Sequence, residues 1–113
     1  MNISMTCHLQ EGPFASIKSG TKTIEMRLYD EKRQKIKVGD IIEFINLTNE
    51  EKLYTKVIAL HVYDSFTELY KHFDKVSLGY KEDEEANPSD MEKYYPASEQ
   101  EKYGVVGIEI EKV

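Results

Sequence analysis

The chain has 113 residues, 40% hydrophobic and 32% charged, with a formal net charge of −6. That is enough for one domain, residues 1–113, with a core that needs no disulfide or structural metal. It excludes a membrane helix, because no apolar run approaches about 18 residues, and the lone Cys7 excludes a disulfide framework or a multi-cysteine zinc site.

The opening MNISMTCHLQ alternates in polarity instead of forming a basic-then-apolar leader, so a cytoplasmic location is expected. Over residues 2–9, Ile3, Met5, Cys7 and Leu9 share one face while Ser4, Thr6 and His8 share the other, which is the pattern of a half-buried strand. Pro13 suits the first turn of a short helix that buries Phe14 and Ile17, and Gly20 suits its end. Thr23–Tyr29 alternates again, with Ile24, Met26 and Leu28 inward. Val38-Gly39-Asp40 signals a turn into a strand over Ile41–Asn46, and Leu53–Tyr63 reads as a long strand. Ser65-Phe66-Thr67-Glu68 is a capping box, followed by an apolar face of Phe66, Leu69, Tyr70 and Phe73. Lys81–Asp90 reads as an acidic loop. A second short helix is expected over Ser89–Tyr95, stopped by Pro96, and Gly104–Glu111 is the closing strand. Five strands and two or three short helices without βα alternation indicate an α+β fold, a small antiparallel barrel or curved sheet.

Charge is unevenly placed. Residues 17–38 carry seven basic groups (Lys18, Lys22, Arg27, Lys32, Arg33, Lys35, Lys37) against three acids, while residues 82–101 carry eight acids against Lys93 alone. A uniformly basic nucleic-acid binder is excluded; a local basic site is not. The acidic stretch also suits a protein-binding adaptor.

The segment Gly20-Thr21-Lys22-Thr23-Ile24-Glu25-Met26-Arg27 concentrates the chemistry. Lys22 shares parity with Ile24 and Met26, so it stands on the core-facing row at the start of a strand, where a lysine must reach the open mouth of the sheet. Thr23, Glu25 and Arg27 fall on the other side. The arrangement suits either a cleft lining or an exposed salt-bridge ladder, the latter contributing only about 0–1 kcal/mol per pair. If Glu25 touches Lys22, the lysine is a phosphate or carbonyl clamp; if Glu25 pairs elsewhere and Lys22 stands near Arg33, it can serve as a base.

This segment resembles the GxKxxExR signature of ASCH domains, of the PUA-like superfamily, and the surrounding order of strands and helix fits that layout over nearly the whole chain. The resemblance implies a small β-barrel with a cleft lined by Lys22, Glu25 and Arg27, and RNA or a nucleotide as ligand. Some small bacterial ASCH proteins are amidohydrolases acting on N4-acetylcytidine through a lysine, a threonine and a glutamate. Their lysine matches Lys22. Their threonine position falls on Glu25, with Thr23 two residues away, and their glutamate falls loosely in Glu82–Glu85. An acylated nucleoside is therefore the alternative substrate, with Lys22, Glu25 and Thr23 as catalytic candidates.

Further ligand contacts are expected from Arg33 and Lys35, which follow the motif directly, and from Tyr29, which shares a face with Glu25 and Arg27. Tyr54, Tyr63, Tyr80, Tyr94, Tyr95 and Tyr103 are further candidates for base stacking. His8 can border the cleft. With His61 and His72 it shows no metal-ligand spacing, and no cofactor motif is present, so neither a metal nor a cofactor is expected. Cys7 lies on an apolar face, which suits an inert thiol.

Overall fold

The structure, a computed structural model, describes residues 2–113. Five strands form one curled, half-barrel sheet: β1 (Ile3–Leu9), β2 (Ile24–Leu28), β3 (Ile41–Asn46), β4 (Lys52–Tyr63) and β5 (Val105–Lys112), in the spatial order β1-β3-β4-β5-β2. Three helices accompany them: α1 (Glu11–Ser19), α2 (Phe66–Tyr70) and α3 (Ala97–Tyr103). No helix among the described residues is long and apolar enough to cross a membrane.

The expected antiparallel pairing holds for β3–β4, β4–β5 and β2–β5, but β1 runs parallel to β3, with Cys7 opposite Phe44. A parallel pair needs a crossover, and here α1, β2 and the turn after it supply one. Alternating polarity reports which face a residue lies on but not the direction of its neighbour, so β1 looked the same in either sense.

Two clusters of apolar side chains flank the sheet. The first joins Met5, Cys7, Phe14, Ile42, Phe44 and Ile108, so α1 closes it from one side. The second joins Ile24, Met26, Phe66, Leu69, Leu78 and Val105 beneath α2 and the segment after it. Consequently both faces of β2 are covered. Ile24 and Met26 enter the second cluster, and Glu25 and Arg27, opposite Ile108 and Val106 in β5, face the first. Inward for this strand therefore has two meanings, which a single alternating row does not convey.

Caps act where the sequence places them. Ser65 accepts a hydrogen bond from the Glu68 N–H at the start of α2, and Gly20 ends α1 in the left-handed region with φ 86°. The expected helix over Ser89–Tyr95 is instead one turn of 3₁₀ helix, Pro88–Met91, capped by the Asn87 side chain. The third helix, Ala97–Tyr103, lies beyond Pro96. It buries Gln100, whose side-chain oxygen accepts from the Phe66 N–H and whose amide donates to the Tyr95 carbonyl. One polar residue stands where an apolar one would have marked the helix face.

Candidate functional site

The glycine turn after α1 sets the position of Lys22. The Gly20 N–H bonds the Ile17 carbonyl, and the Thr21 and Lys22 N–H groups both bond the Ser16 carbonyl. The chain then enters β2 through two hydrogen bonds, from Thr23 and Ile24 N–H to the Ser77 carbonyl. The Lys22 stem crosses Gly79, where φ is 109° and a β-carbon would lie 3.1 Å from Lys22 Cδ. A side chain at position 79 would be strained by the backbone and would press on the Lys22 stem.

Lys22 ends 3.1 Å from Glu25 Oε1, and Arg27 donates to Glu25 Oε2 at 2.9 Å. One carboxylate thus bridges two cations that flank it in sequence. It is the most buried of the three, with 4% of its side chain exposed against 11% for Lys22 and 18% for Arg27. Burial pushes the Glu25 carboxyl up, but the Lys22 and Arg27 charges outweigh it and hold it below the ordinary carboxylate range. Burial opposes the charge on Arg27; Glu25 outweighs it and locks the guanidinium in its charged form. Cys7, close by, is pushed up by burial despite Arg27, as befits an inert thiol. Two positive heads sharing one negative partner leave a net positive site with donor hydrogens to spare.

These three side chains line one depression of about 680 Å³. His8, Gln10 and Pro13 border it on one side; Tyr70, Leu78, Gly79 and Tyr80 form another wall. Asp90, Met91, Lys93, Tyr94 and Tyr95 complete it. Tyr94 is 65% exposed and stands at the rim. Tyr95 stacks on Phe66, with ring centroids 5.9 Å apart. The site is therefore assembled from four separate stretches of chain: the β1–α1 junction, Lys22 with β2, Leu47 after β3, and the segment from Tyr70 to Tyr95.

Other sequence candidates stand elsewhere. Thr23 lines a separate small depression with Gly20, Thr55 and Lys112. Tyr29 packs against the first apolar cluster. Arg33 pairs with Asp30 at 2.9 Å, and Lys35 is exposed on a single 3₁₀ turn. None of these four lines the large depression. Glu82–Glu85 is also outside it; its backbone is tethered by Lys75 Nζ, which donates to the Glu82 and Glu84 carbonyls. Among the described residues no group of three or more His, Cys, Asp or Glu is placed to hold a metal ion.

Sequence reasoning missed Tyr70 and Asp90. Tyr70 sat on the apolar face of the α2 pattern and read as core, and Asp90 sat in an acidic run without distinction. The phenol oxygens of Tyr70 and Tyr80 are 2.9 Å apart, and Tyr80 donates to Asp90 Oδ2 at 2.8 Å.

The fold and the site together define an α+β half-barrel domain that carries a Lys–Glu–Arg cluster on its edge strand. The ASCH domain model matches residues 8–113, and the chain belongs to that family. Among solved structures, the hypothetical protein PH0355 shares 37% identity over 96% of this chain and 98% of its own, with a TM-score of 0.76. Protein PF0455 from Pyrococcus furiosus shares 37% identity over 96% of both chains, with a TM-score of 0.72. An ASCH protein of Zymomonas mobilis, crystallised as a serine-to-alanine mutant, is 11% identical. It aligns over 96% of this chain and 70% of its own at a TM-score of 0.64, a likeness of fold. No curated protein matches the sequence.

Proposed function

We propose that the depression binds a single nucleotide, free or as one unit of an RNA strand. The observation that carries this reading is the combination of cationic and aromatic side chains in the lining of one depression. A volume of about 680 Å³ lies in the roughly 300–1,000 Å³ range of small-ligand sites. Lys22 and Arg27 offer donors to a phosphate or carbonyl oxygen. Glu25 holds both heads, at 3.1 Å and 2.9 Å. Tyr94, mostly exposed at the rim, offers a face on which a base can stack. Family membership supports an RNA-type ligand. Arg33 and Lys35 stand outside the depression, which favours one nucleotide unit over a long phosphate track.

The test is calorimetric titration of the protein with nucleoside monophosphates and with a short single-stranded RNA. Binding of at least one mononucleotide that Lys22→Ala weakens about tenfold or more supports the reading. Affinity that appears only with longer RNA and is indifferent to Lys22→Ala overturns it.

The volume of the depression, about 680 Å³, also accommodates a second reading, hydrolysis of an acylated nucleoside such as N4-acetylcytidine, with Lys22 at the scissile amide. Thr23 lines the neighbouring depression and Glu25 is engaged by two cations, so in this reading Lys22, paired with Glu25, would clamp the scissile carbonyl while a water attacks it. Release of acetate from N4-acetylcytidine by wild type, absent in Lys22→Ala, tests it.

A further inference from the structure

The hydroxyl chain along one wall has a direction that the geometry determines. The Tyr80 hydroxyl lies 2.8 Å from Asp90 Oδ2, 3.2 Å from the Asn87 carbonyl and 2.9 Å from the Tyr70 hydroxyl. A carboxylate and a carbonyl can only accept, and a phenol has one proton to give. The Asn87 carbonyl already receives the Asp90 N–H at 3.0 Å. The Tyr80 proton therefore goes to Asp90, the shorter and charge-assisted contact. Tyr80 is then left as an acceptor towards Tyr70, so the Tyr70 proton must point at Tyr80. Burial raises both phenols, and they stay protonated throughout the ordinary pH range. Both protons of the wall are thus committed within the protein. What remains facing the depression is acceptor capacity: lone pairs on Tyr70 and the Asp90 carboxylate.

The floor is the reverse. Lys22 and Arg27 carry only donors, and their shared acceptor, Glu25, is taken up between them. The depression is therefore polar in two senses, donating at its floor and accepting at its Tyr70–Asp90 wall. Resting on the nucleotide reading above, we infer that Asp90, set by Tyr70 and Tyr80, selects a ligand that presents a hydrogen-bond donor, an exocyclic amino group or a ribose hydroxyl, to this wall.

The probes are adenosine and cytidine 5′-monophosphates. Each is compared with the analogue lacking the exocyclic amino group and with the 2′-deoxy analogue, by titration calorimetry on the full chain. In wild type, removing the donor that faces Asp90 should cost about tenfold in affinity. Loss on removing the amino group identifies the base as the source; loss on removing the 2′-hydroxyl identifies the ribose. Asp90→Ala should bring that ratio to within about twofold. Tyr80→Phe should shrink it as well, because it frees the Tyr70 proton and adds a donor to the wall. Asp90 is exposed, so its replacement spares the core, and the Tyr80 variant gives an independent reading. Nucleotides that bind without discriminating the analogues, or a ratio unchanged in both variants, overturn this inference and leave the nucleotide site standing. Failure of every nucleotide to bind wild type overturns both.

Discussion

The Lys22–Arg27 strand end and the Lys32–Lys37 segment are neighbours in sequence and both rich in cations, yet their charges end in different surroundings. In the first, Glu25 alternates with the cations along an edge strand whose two faces are covered, so Lys22 and Arg27 are drawn over a buried carboxylate. In the second, the chain makes only a 3₁₀ turn over Arg33–Lys35, and Lys35 and Lys37 stand in water. A cation does little alone on a surface, where solvent screens it. It becomes useful when the fold fixes its head next to an apolar wall and a counter-charge.

The sharpest way to break this contrast is to remove the carboxylate. Glu25→Ala leaves two sheltered cations facing each other, and a loss of about 3 kcal/mol or more in urea unfolding is expected. Exposed pairs give the opposite extreme. Next comes ligand binding: Lys22→Ala should cost about tenfold or more in nucleotide affinity. The double substitution Arg33→Ala with Lys35→Ala should leave mononucleotide affinity within about twofold, with any effect confined to longer RNA and to low salt. Gly79→Ala should cost about 1–2 kcal/mol through its left-handed backbone. It should also weaken nucleotide binding, because the new methyl group presses on the Lys22 stem; a melt and a titration separate the two effects.

Acid offers a further test. The folded Glu25 carboxyl is held below its unfolded value. Its contribution is therefore fully present above the ordinary carboxylate range and is lost as pH falls through the folded value. Urea midpoints of wild type should drop more steeply on acidification than those of Glu25→Gln; parallel curves would remove the ion-pair account. The smallest effect belongs to Glu51→Ala, which breaks the exposed pair with Lys18 and should change stability by less than about 1 kcal/mol.

The two regions also differ in how far they could be read from sequence. Alternation at Ile3, Met5 and Cys7, the Ser65 cap and the Gly20 stop are local signals, and the elements they mark lie where expected. The GxKxxExR spacing brought Lys22, Glu25 and Arg27 into consideration together. Three features were not legible. The sense of β1 depends on its partner, and the burial of Glu25 depends on its place opposite Ile108, some eighty positions downstream, on the face of the first apolar cluster. The wall of Tyr70, Tyr80 and Asp90 forms only when α2 and the loop after it settle against β2. Tyr29 went the other way: parity put it beside Arg27, but packing against the first cluster turned it into a structural residue.

One consequence of the strand order concerns time. β2 lies at the edge of the sheet, and among the described residues its strand partner is β5, with Ile24 opposite Glu109 and Leu28 opposite Val105. A nascent chain that has displayed Lys22, Glu25 and Arg27 has nothing to pair them against until Val105–Lys112 is made. Closing so long a loop is slow, and non-local pairings of this kind come late in folding. The β1–β3–β4 part can zip up while synthesis continues, but the motif strand must wait, its charges hydrated, for the final strand to be delivered. A ribosome-stalled chain lacking β5 would therefore carry the complete signature and no binding site.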